Sequence, residues 1–164
     1  MIVVSDSSPL IALCDLGKLD LLRALYQRVV LPEAVWEEAV IAGSGRTGRE
    51  ALFAASWMEH VKVHNQMLVR ALSQKLDTGE SQAIALALEL DADLLLMDER
   101  LGREVAQRFG IAVTGVVGVL IMAKAQGYLL AIKPELDRLR SEFDFRMSKA
   151  LYQKALLIAG EGIS

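Results

Sequence analysis

Residues 76–110, LDTGESQAIALALELDADLLLMDERLGREVAQRFG, contain a strand between two helical patterns. From Thr78 to residue 92, alanine and leucine recur so densely that we predict a deeply buried helix. The run DLLLM at 93–97 is short and apolar, as in a strand that is covered on both faces. The next residues, RLGREVAQRFG, have the pattern of an amphipathic helix. A buried strand between two helices is typical of α/β folds with a parallel sheet.

The same alternation extends in both directions along the chain. Further strands are predicted at residues 1–5, 27–32, 58–64 and 111–114. Helices are predicted between and after them, in SPLIALCDLG, KLDLLRALY, PEAVWEEAVIA, REALFAASW and VVGVLIMAKAQG. Strands that alternate with helices form a mostly parallel sheet with helices on both faces. The predicted fold class is therefore α/β, a three-layer α/β/α sandwich.

The length and composition predict one domain. The 164 residues are 53% hydrophobic, enough to bury a single core. We expect this domain to span residues 1–164, with the residues from about 130 onward as a C-terminal helical extension. The pattern of that extension predicts two helices that are interrupted near residues 143–145.

The overall charge and hydropathy limit the classes of function. No apolar run approaches the roughly 20 residues that span a bilayer, and the start of the chain lacks the pattern of a signal peptide. We therefore expect a cytoplasmic protein with no membrane contact. A formal net charge of −3 argues against an extensive basic surface for nucleic acid. It remains compatible with a nuclease, because a cluster of catalytic carboxylates lowers the net charge.

Acidic residues follow two of the predicted strands. Asp6 comes after the first strand, and Asp98 and Glu99 come after the strand at 93–97. Because the carboxyl ends of parallel strands meet at one edge of a sheet, we expect these side chains to lie close together. Each of them alone also has a structural interpretation as a turn or cap residue.

Two helices add further carboxylates. Glu80 stands in the first turn of the helix that begins near Thr78, three residues after Asp77. Glu38 lies three residues after Val35, and regular helical spacing directs it to the face that the valine turns toward the core, with Glu37 directed elsewhere. Glu80 also suits the positive end of a helix dipole, and Glu38 also suits a solvated surface.

Four carboxylates at one edge of a sheet repel one another unless a cation lies between them. Hard divalent ions such as Mg²⁺ and Mn²⁺ prefer oxygen ligands. A site of this kind lowers the pKa of water and neutralises charge on a phosphodiester. The pattern therefore indicates metal-dependent hydrolysis without a protein nucleophile.

Five ordered motifs resemble those of the PIN-domain nucleases. They are SPLIAL, directly after Asp6 and Ser7, and then LPEAVWEE, LDTGESQAIALA, LLLMDERLGR and VTGVVGVLIMAKAQG. The resemblance covers residues 1 to about 130 and is strongest to a bacterial and archaeal branch similar to the toxins of toxin–antitoxin systems. It implies a PIN-like fold, Mg²⁺ or Mn²⁺ as cofactor and endonucleolytic cleavage of single-stranded RNA. It also implies an antitoxin protein as partner and a homodimer, for which the stretch VVGVLIMAKAQGYLLAI or the C-terminal tail supplies an interface.

The resemblance also assigns roles to residues. The matching positions are a catalytic and metal-binding quartet (Asp6, Glu38, Glu80 and Asp98), an additional metal ligand (Glu99) and substrate contacts (Ser7, Ser8, Arg100 and Arg103). The third acid is Glu80, where many members have aspartate. The adjacent Asp98 and Glu99 leave open which of them contacts the metal.

Alternative functions depend on features that the sequence mostly lacks. A phosphoryl-accepting receiver domain also has acids at strand ends, but it needs a lysine at a later strand end, where IAVTG has none. An aspartyl phosphatase favours a second aspartate two residues after the first, whereas Asp6 is followed by Ser7 and Ser8. The remaining alternative is a PIN-like module that binds nucleic acid or protein with weak or no catalysis.

Three further features have weaker functional interpretations. The loop GSGRTG at 43–48 lacks the ending of a phosphate-binding loop, and we interpret it as a surface loop. His60 and His64 share a strand face but lack a third local ligand, which favours solvent-facing residues on an edge strand. Trp36 and Trp57 are expected to pack in the core rather than to stack on bases.

Overall fold

The protein, described by a computed structural model over residues 1–42 and 49–162, contains a central parallel sheet. Its strands are β1 (Val3–Ser5), β2 (Val29–Pro32), β3 (Met58–Val61), β4 (Leu94–Leu96) and β5 (Val113–Thr114). The strand order is β3-β2-β1-β4-β5, and every pairing is parallel. β3 lies at an edge, as predicted. The 43–48 loop lies outside the described residues.

Helices cover both faces of this sheet. They are α1 (Ser7–Asp15), α2 (Asp20–Tyr26), α3 (Glu33–Val35), which continues into a π-helical turn (Trp36–Ile41), α4 (Glu50–Ala54), α5 (Gln66–Leu72), α6 (Thr78–Glu89), α7 (Arg100–Arg108), α8 (Val116–Ala125), α9 (Lys133–Glu142) and α10 (Lys149–Ile158). The sequence patterns assigned all of these segments except α5. The predicted three-layer α/β/α sandwich is confirmed.

Neighbouring residues of one strand enter opposite hydrophobic clusters, as the two-residue period of a strand requires. Val3 belongs to the cluster that contains α1, α2 and α8, whereas Val4 belongs to the cluster that contains α5, α6 and α7. Leu95 and Leu96 of β4 divide in the same way. Both faces of the sheet are therefore covered, which explains why its strands read as continuous apolar runs.

The strand order reverses next to β1. The chain adds β2 and β3 on one side of β1 and then crosses back to place β4 on the other side. In open α/β sheets, ligand sites lie beyond the carboxyl ends of the strands at such a switch point. Here the Asp6 backbone N–H donates a hydrogen bond to the Leu96 carbonyl (2.9 Å), which joins the ends of β1 and β4.

The C-terminal helices pack on α8. Leu136 and Leu139 of α9 and Ala155 and Leu156 of α10 are buried in the cluster that contains Val3. The interruption between α9 and α10 falls where the sequence predicted it. In the described part of the chain, no helix is long and apolar enough to cross a membrane.

Candidate active site

A cleft of about 1060 Å³ opens at the carboxyl ends of β1, β4 and β5. It is lined by all the residues that the sequence singled out for the site, namely Asp6, Ser7, Ser8, Glu38, Glu80, Asp98, Glu99, Arg100 and Arg103. Asp77 joins them at the same rim. Among these residues, the fold brings together acids that are up to 93 positions apart in the sequence, from Asp6 to Glu99.

Asp6 lies at the centre of these carboxylates. Its backbone is extended at the position before α1, and its side chain makes no capping hydrogen bond to that helix. The residue is only 6% exposed. Burial, together with the neighbouring carboxylates of Asp77, Glu38 and Asp98, raises the pKa of Asp6 to about 7 against a backbone hydrogen bond from Ser7. The helix cap therefore does not explain this aspartate.

Gly79, in the first turn of α6, faces three carboxylates. A β-carbon built on this glycine would lie 3.0 Å from Glu38 Oε2, 3.5 Å from Asp6 Oδ1 and 3.6 Å from Asp77 Oδ1. The three oxygens therefore surround a space that any other side chain would enter. Sequence reasoning missed Gly79, although its place between Asp77 and Glu80 was a visible signal.

We expect Gly79→Ala to weaken metal binding while leaving the fold intact. The added methyl group meets Glu38 Oε2 at 3.0 Å, but alanine is a better helix former than glycine. The stabilisation of the variant by Mn²⁺ in thermal melts should therefore be smaller than that of the parent. Thr78→Ala, an exposed position one residue earlier, is the matched control. If Mn²⁺ stabilised Gly79→Ala as much as the parent, Glu38 would not be a metal ligand.

Glu80 and Asp77 cap α6 reciprocally. The Glu80 N–H donates to Asp77 Oδ1 (2.8 Å), and the Asp77 N–H donates to Glu80 Oε1 (3.1 Å). This capping box gives both residues a structural role. It leaves Glu80 Oε2 buried without a hydrogen-bond partner among the described residues. Burial, followed by the hydrogen bond with Asp77, raises the pKa of Glu80 to about 7.

The apo protein should lose stability as the pH rises. The pKa values of Asp6 and Glu80, about 7 in the folded protein, lie above their ordinary values of 3.8 and 4.5. Between about pH 4 and pH 7, the folded state therefore binds more protons than the unfolded state. The free energy of unfolding falls over this range, and the stability that is present below pH 4 is lost as the pH rises through 7. We expect the melting temperature in EDTA to fall between pH 5 and pH 8, and Asp6→Asn to flatten this dependence. A melting temperature that rises over this range would contradict the description of the site.

Asp98 is held by three groups. Its Oδ1 accepts a hydrogen bond from the Val116 N–H (2.9 Å) at the start of α8, and the Ser8 hydroxyl also hydrogen bonds to the carboxylate. Burial raises the pKa of Asp98, whereas Val116, Arg103 and Ser8 lower it. Its Oδ2 is buried without a hydrogen-bond partner in the part of the chain that is described. The adjacent Glu99 is exposed, so that Asp98 is the inner member of the pair.

Glu38 reaches the cleft from a π-helical turn rather than from the regular helix that its spacing predicted. The Ala42 N–H donates to the Glu37 carbonyl five residues earlier (2.8 Å), as in a π-helix. The two glutamates still point in different directions. Glu38 lines the cleft, whereas Glu37 lines a separate shallow pocket with Trp36 and His60.

The weaker candidates lie away from the cleft. His60 stacks on Trp36 at 4.3 Å between ring centroids, and His64 is exposed. Trp36 and Trp57 are half-buried and pack against the core, as expected. Within residues 1–42 and 49–162, no three His, Cys, Asp or Glu side chains already have the geometry of a metal site. The acids therefore line an open cleft rather than a closed cage.

The donor set nevertheless fits a hard divalent ion. The acids at the rim offer oxygen donors, which suit Mg²⁺ or Mn²⁺. Two of these oxygens, Glu80 Oε2 and Asp98 Oδ2, are buried without hydrogen-bond partners among the described residues. Apart from the two chain neighbours of Gly79, the side-chain atom nearest to a β-carbon at this glycine is Glu38 Oε2, at 3.0 Å.

A family model described as a PIN domain (DUF3368) matches residues 2–161. The chain belongs to the PIN-domain family. No curated protein matches the chain. The match extends through α9 and α10. It therefore includes the C-terminal helices that the sequence motifs did not cover. PIN domains are typically nucleases that hydrolyse phosphodiester bonds with divalent metal ions, and membership of the family implies nucleic-acid binding.

Proposed function

We propose that this PIN domain is a divalent-metal-dependent endoribonuclease that cleaves single-stranded RNA. The observation that carries the proposal is the convergence of Glu38 Oε2, Asp6 Oδ1 and Asp77 Oδ1 around Gly79 in an open cleft. The carboxylates of Asp77 and Glu38 help to raise the pKa of Asp6, and a cation between these groups would relieve their repulsion. A purely structural role does not require an open cleft in front of them.

Four acids would hold Mg²⁺ or Mn²⁺: Asp6, Glu38, Glu80 and Asp98, with Glu99 beside them. A bound divalent ion supplies a water of lowered pKa and neutralises charge on the phosphate. Asp6 is buried and lacks a capping role, so that its carboxylate is available to an ion. Val116 and Ser8 orient Asp98 with Oδ2 unpaired among the described residues.

Polar groups beside the acids orient the phosphodiester. The buried Ser7 hydroxyl has no hydrogen-bond partner among the described residues and is available as a donor. Arg103 donates one N–H to the Met97 carbonyl (3.3 Å), which leaves other guanidinium donors for a phosphate oxygen. Arg100 is exposed and pairs with Glu104. The described residues that line the cleft include no histidine or cysteine, which favours attack by water over a covalent enzyme intermediate.

A cleavage assay tests the function directly. The purified protein is incubated with a mixed pool of single-stranded RNA in Mg²⁺, Mn²⁺, Ca²⁺ or EDTA. We expect cleavage in Mg²⁺ or Mn²⁺ and none in EDTA. Ca²⁺ is the control, because this larger and more loosely coordinated ion binds such sites without supporting the same geometry. Cleavage that persists in EDTA would contradict the proposal, and no cleavage with either metal would favour the binding module.

The biological role that we propose is that of a cytoplasmic toxin with an antitoxin partner. The resemblance of the motifs supports this role, and apolar surface supports a homodimer. In the stretch that the sequence singled out for an interface, Met122 and Tyr128 are exposed, and Leu130 is 99% exposed. Light scattering measures the oligomeric state. Co-purification with the product of the neighbouring upstream reading frame tests the antitoxin.

A further inference from the structure

The second wall of the active-site cleft comes from the C-terminal helices. Arg146, in the segment between α9 and α10, and Lys154 of α10 line the same cleft as Asp6 and Asp98. Lys75, just before α6, lies at this cleft as well. None of these three cations was a candidate on the sequence, because nothing local connects residues 146 and 154 with the acidic motifs.

Helical geometry explains why Lys154 faces the cleft. Leu156 is buried against the core, whereas Leu151, Lys154 and Ile158 are exposed and line the cleft. Their spacing of three and four residues puts them on one face of α10. On this face of α10, Lys154 lies between the apolar side chains of Leu151 and Ile158, and all three line the cleft that contains the acids.

The helix that carries Lys154 is held firmly. The Tyr152 hydroxyl donates a hydrogen bond to Asp137 Oδ1 of α9 (2.7 Å). Beyond the end of α10, Glu161 Oε2 accepts from Lys124 Nζ of α8 (2.9 Å) and from the Ile132 N–H (2.8 Å). These contacts tie α10 to α8 and α9, so that the position of Lys154 relative to the acids is set by the fold.

Lys75, Arg146 and Lys154 differ in their pairing from three other cations near the C-terminus. In the same C-terminal region, Lys124, Lys133 and Arg138 each form an ion pair with a nearby glutamate or aspartate. Over the described ranges 1–42 and 49–162, Lys75, Arg146 and Lys154 form none. All three are exposed. Their charges are therefore available to an anion that enters the cleft.

An anionic substrate needs such groups here. The acids on the floor of the cleft repel a phosphate, and the protein as a whole carries a formal charge of −3. A nucleic-acid strand can approach only if cations on the walls offset this repulsion. Each lysine or arginine that contacts a phosphate also releases counterions, which makes the affinity depend on salt.

We propose that Arg146 and Lys154, together with Lys75, bind the sugar–phosphate backbone of a single-stranded nucleic acid and position it across the acidic rim. The inference rests on the proposed function, since it names the substrate-binding wall of that site. Arg146 and Lys154 are substrate-binding residues that hold the strand in front of the acids. Leu151 and Ile158 provide apolar contacts for bases or sugars beside Lys154.

The test measures binding separately from cleavage. Fluorescence anisotropy of a labelled oligouridylate is recorded in EDTA, where no cleavage occurs, over a series of salt concentrations. For the double variant Arg146→Ala, Lys154→Ala we expect the affinity to fall roughly tenfold and the slope of log K against log salt to decrease by about 1.4. The charge-preserving pair Arg146→Lys, Lys154→Arg should bind as the parent does.

A matched control separates position from total charge. Lys149 is exposed on the same helix but does not line the cleft, and Lys149→Ala should change neither affinity nor slope. Binding of the double variant that equals that of the parent, or an equal loss with Lys149→Ala, would overturn the inference. So would a parent protein that does not bind the oligonucleotide.

The outcomes also distinguish this inference from the proposed function. If the double variant loses affinity but the parent cleaves no RNA in Mg²⁺ or Mn²⁺, the role of Arg146 and Lys154 in binding is supported and the nuclease proposal is contradicted. If the parent cleaves RNA and the double variant binds and cleaves equally well, the nuclease proposal is supported and the role of Arg146 and Lys154 in binding is contradicted. For a substrate-binding role, we expect the double variant to raise KM more than it lowers kcat.

Discussion

Asp6→Asn should reduce metal-dependent RNA cleavage by about 100-fold or more, with little change in the fold. The substitution keeps the size of the side chain and removes the charge at the centre of the carboxylates. Asp6 is buried and makes no capping hydrogen bond, so that its replacement breaks no helix cap. Single-turnover cleavage of labelled RNA in Mn²⁺ measures the effect, and circular dichroism checks the fold.

Glu38 and Glu37 provide an internal control for this experiment. They are adjacent and both exposed, but Glu38 lines the cleft and Glu37 lines a different pocket. Glu38→Gln should therefore behave like Asp6→Asn, and Glu37→Gln should behave like the parent. Equal rates for the two glutamine variants would show that the acidic rim is not the catalytic site.

Mn²⁺ should stabilise the parent protein by several degrees and Asp98→Asn much less. An ion that binds only the folded state contributes about 2.7 kcal/mol at a hundredfold excess over Kd. For a domain of this size that corresponds to a clear rise in melting temperature. Asp98→Asn removes one charge from the rim and retains an oxygen that can accept the hydrogen bond from Val116.

In EDTA, without Mn²⁺, Asp98→Asn should lose its disadvantage relative to the parent. Asp98→Asn should be as stable as the parent or more stable, because burial disfavours the charged form of Asp98. Asp98→Ala should be less stable by about 1 kcal/mol, since it also removes the acceptor for the Val116 N–H. Thermal melts of the three proteins with and without Mn²⁺ measure both effects. Equal Mn²⁺ shifts in the parent and Asp98→Asn would mean that the ion binds elsewhere.

Local sequence patterns were sufficient to predict most of the fold. β-branched and leucine-rich runs marked the strands, and a parallel sheet follows from their alternation with helices. The proximity of Asp6 to Asp98 followed from the same reasoning, because both come after neighbouring parallel strands. The adjacent Glu99 was not distinguishable from Asp98, because only the three-dimensional structure shows that Asp98 is the inner of the two.

Other parts of the site depend on contacts that no local pattern encodes. The π-helical turn requires a hydrogen bond to the residue five positions earlier, and the composition of WEEAVI does not distinguish this from a regular helix. The closeness of Gly79 to Glu38 arises from the packing of α6 against α3. Lys154 reaches the cleft only because α10 packs on α8.

The most direct test of the central claim is the anomalous scattering of Mn²⁺ in a crystal of the protein. We predict a peak in the cleft within about 2.0–2.6 Å of carboxylate oxygens from Asp6 and at least one of Glu38, Glu80 and Asp98. The peak should vanish in crystals of Asp6→Asn. A strong Mn²⁺ peak at another place, or an empty cleft at a Mn²⁺ concentration that supports cleavage, would contradict the account.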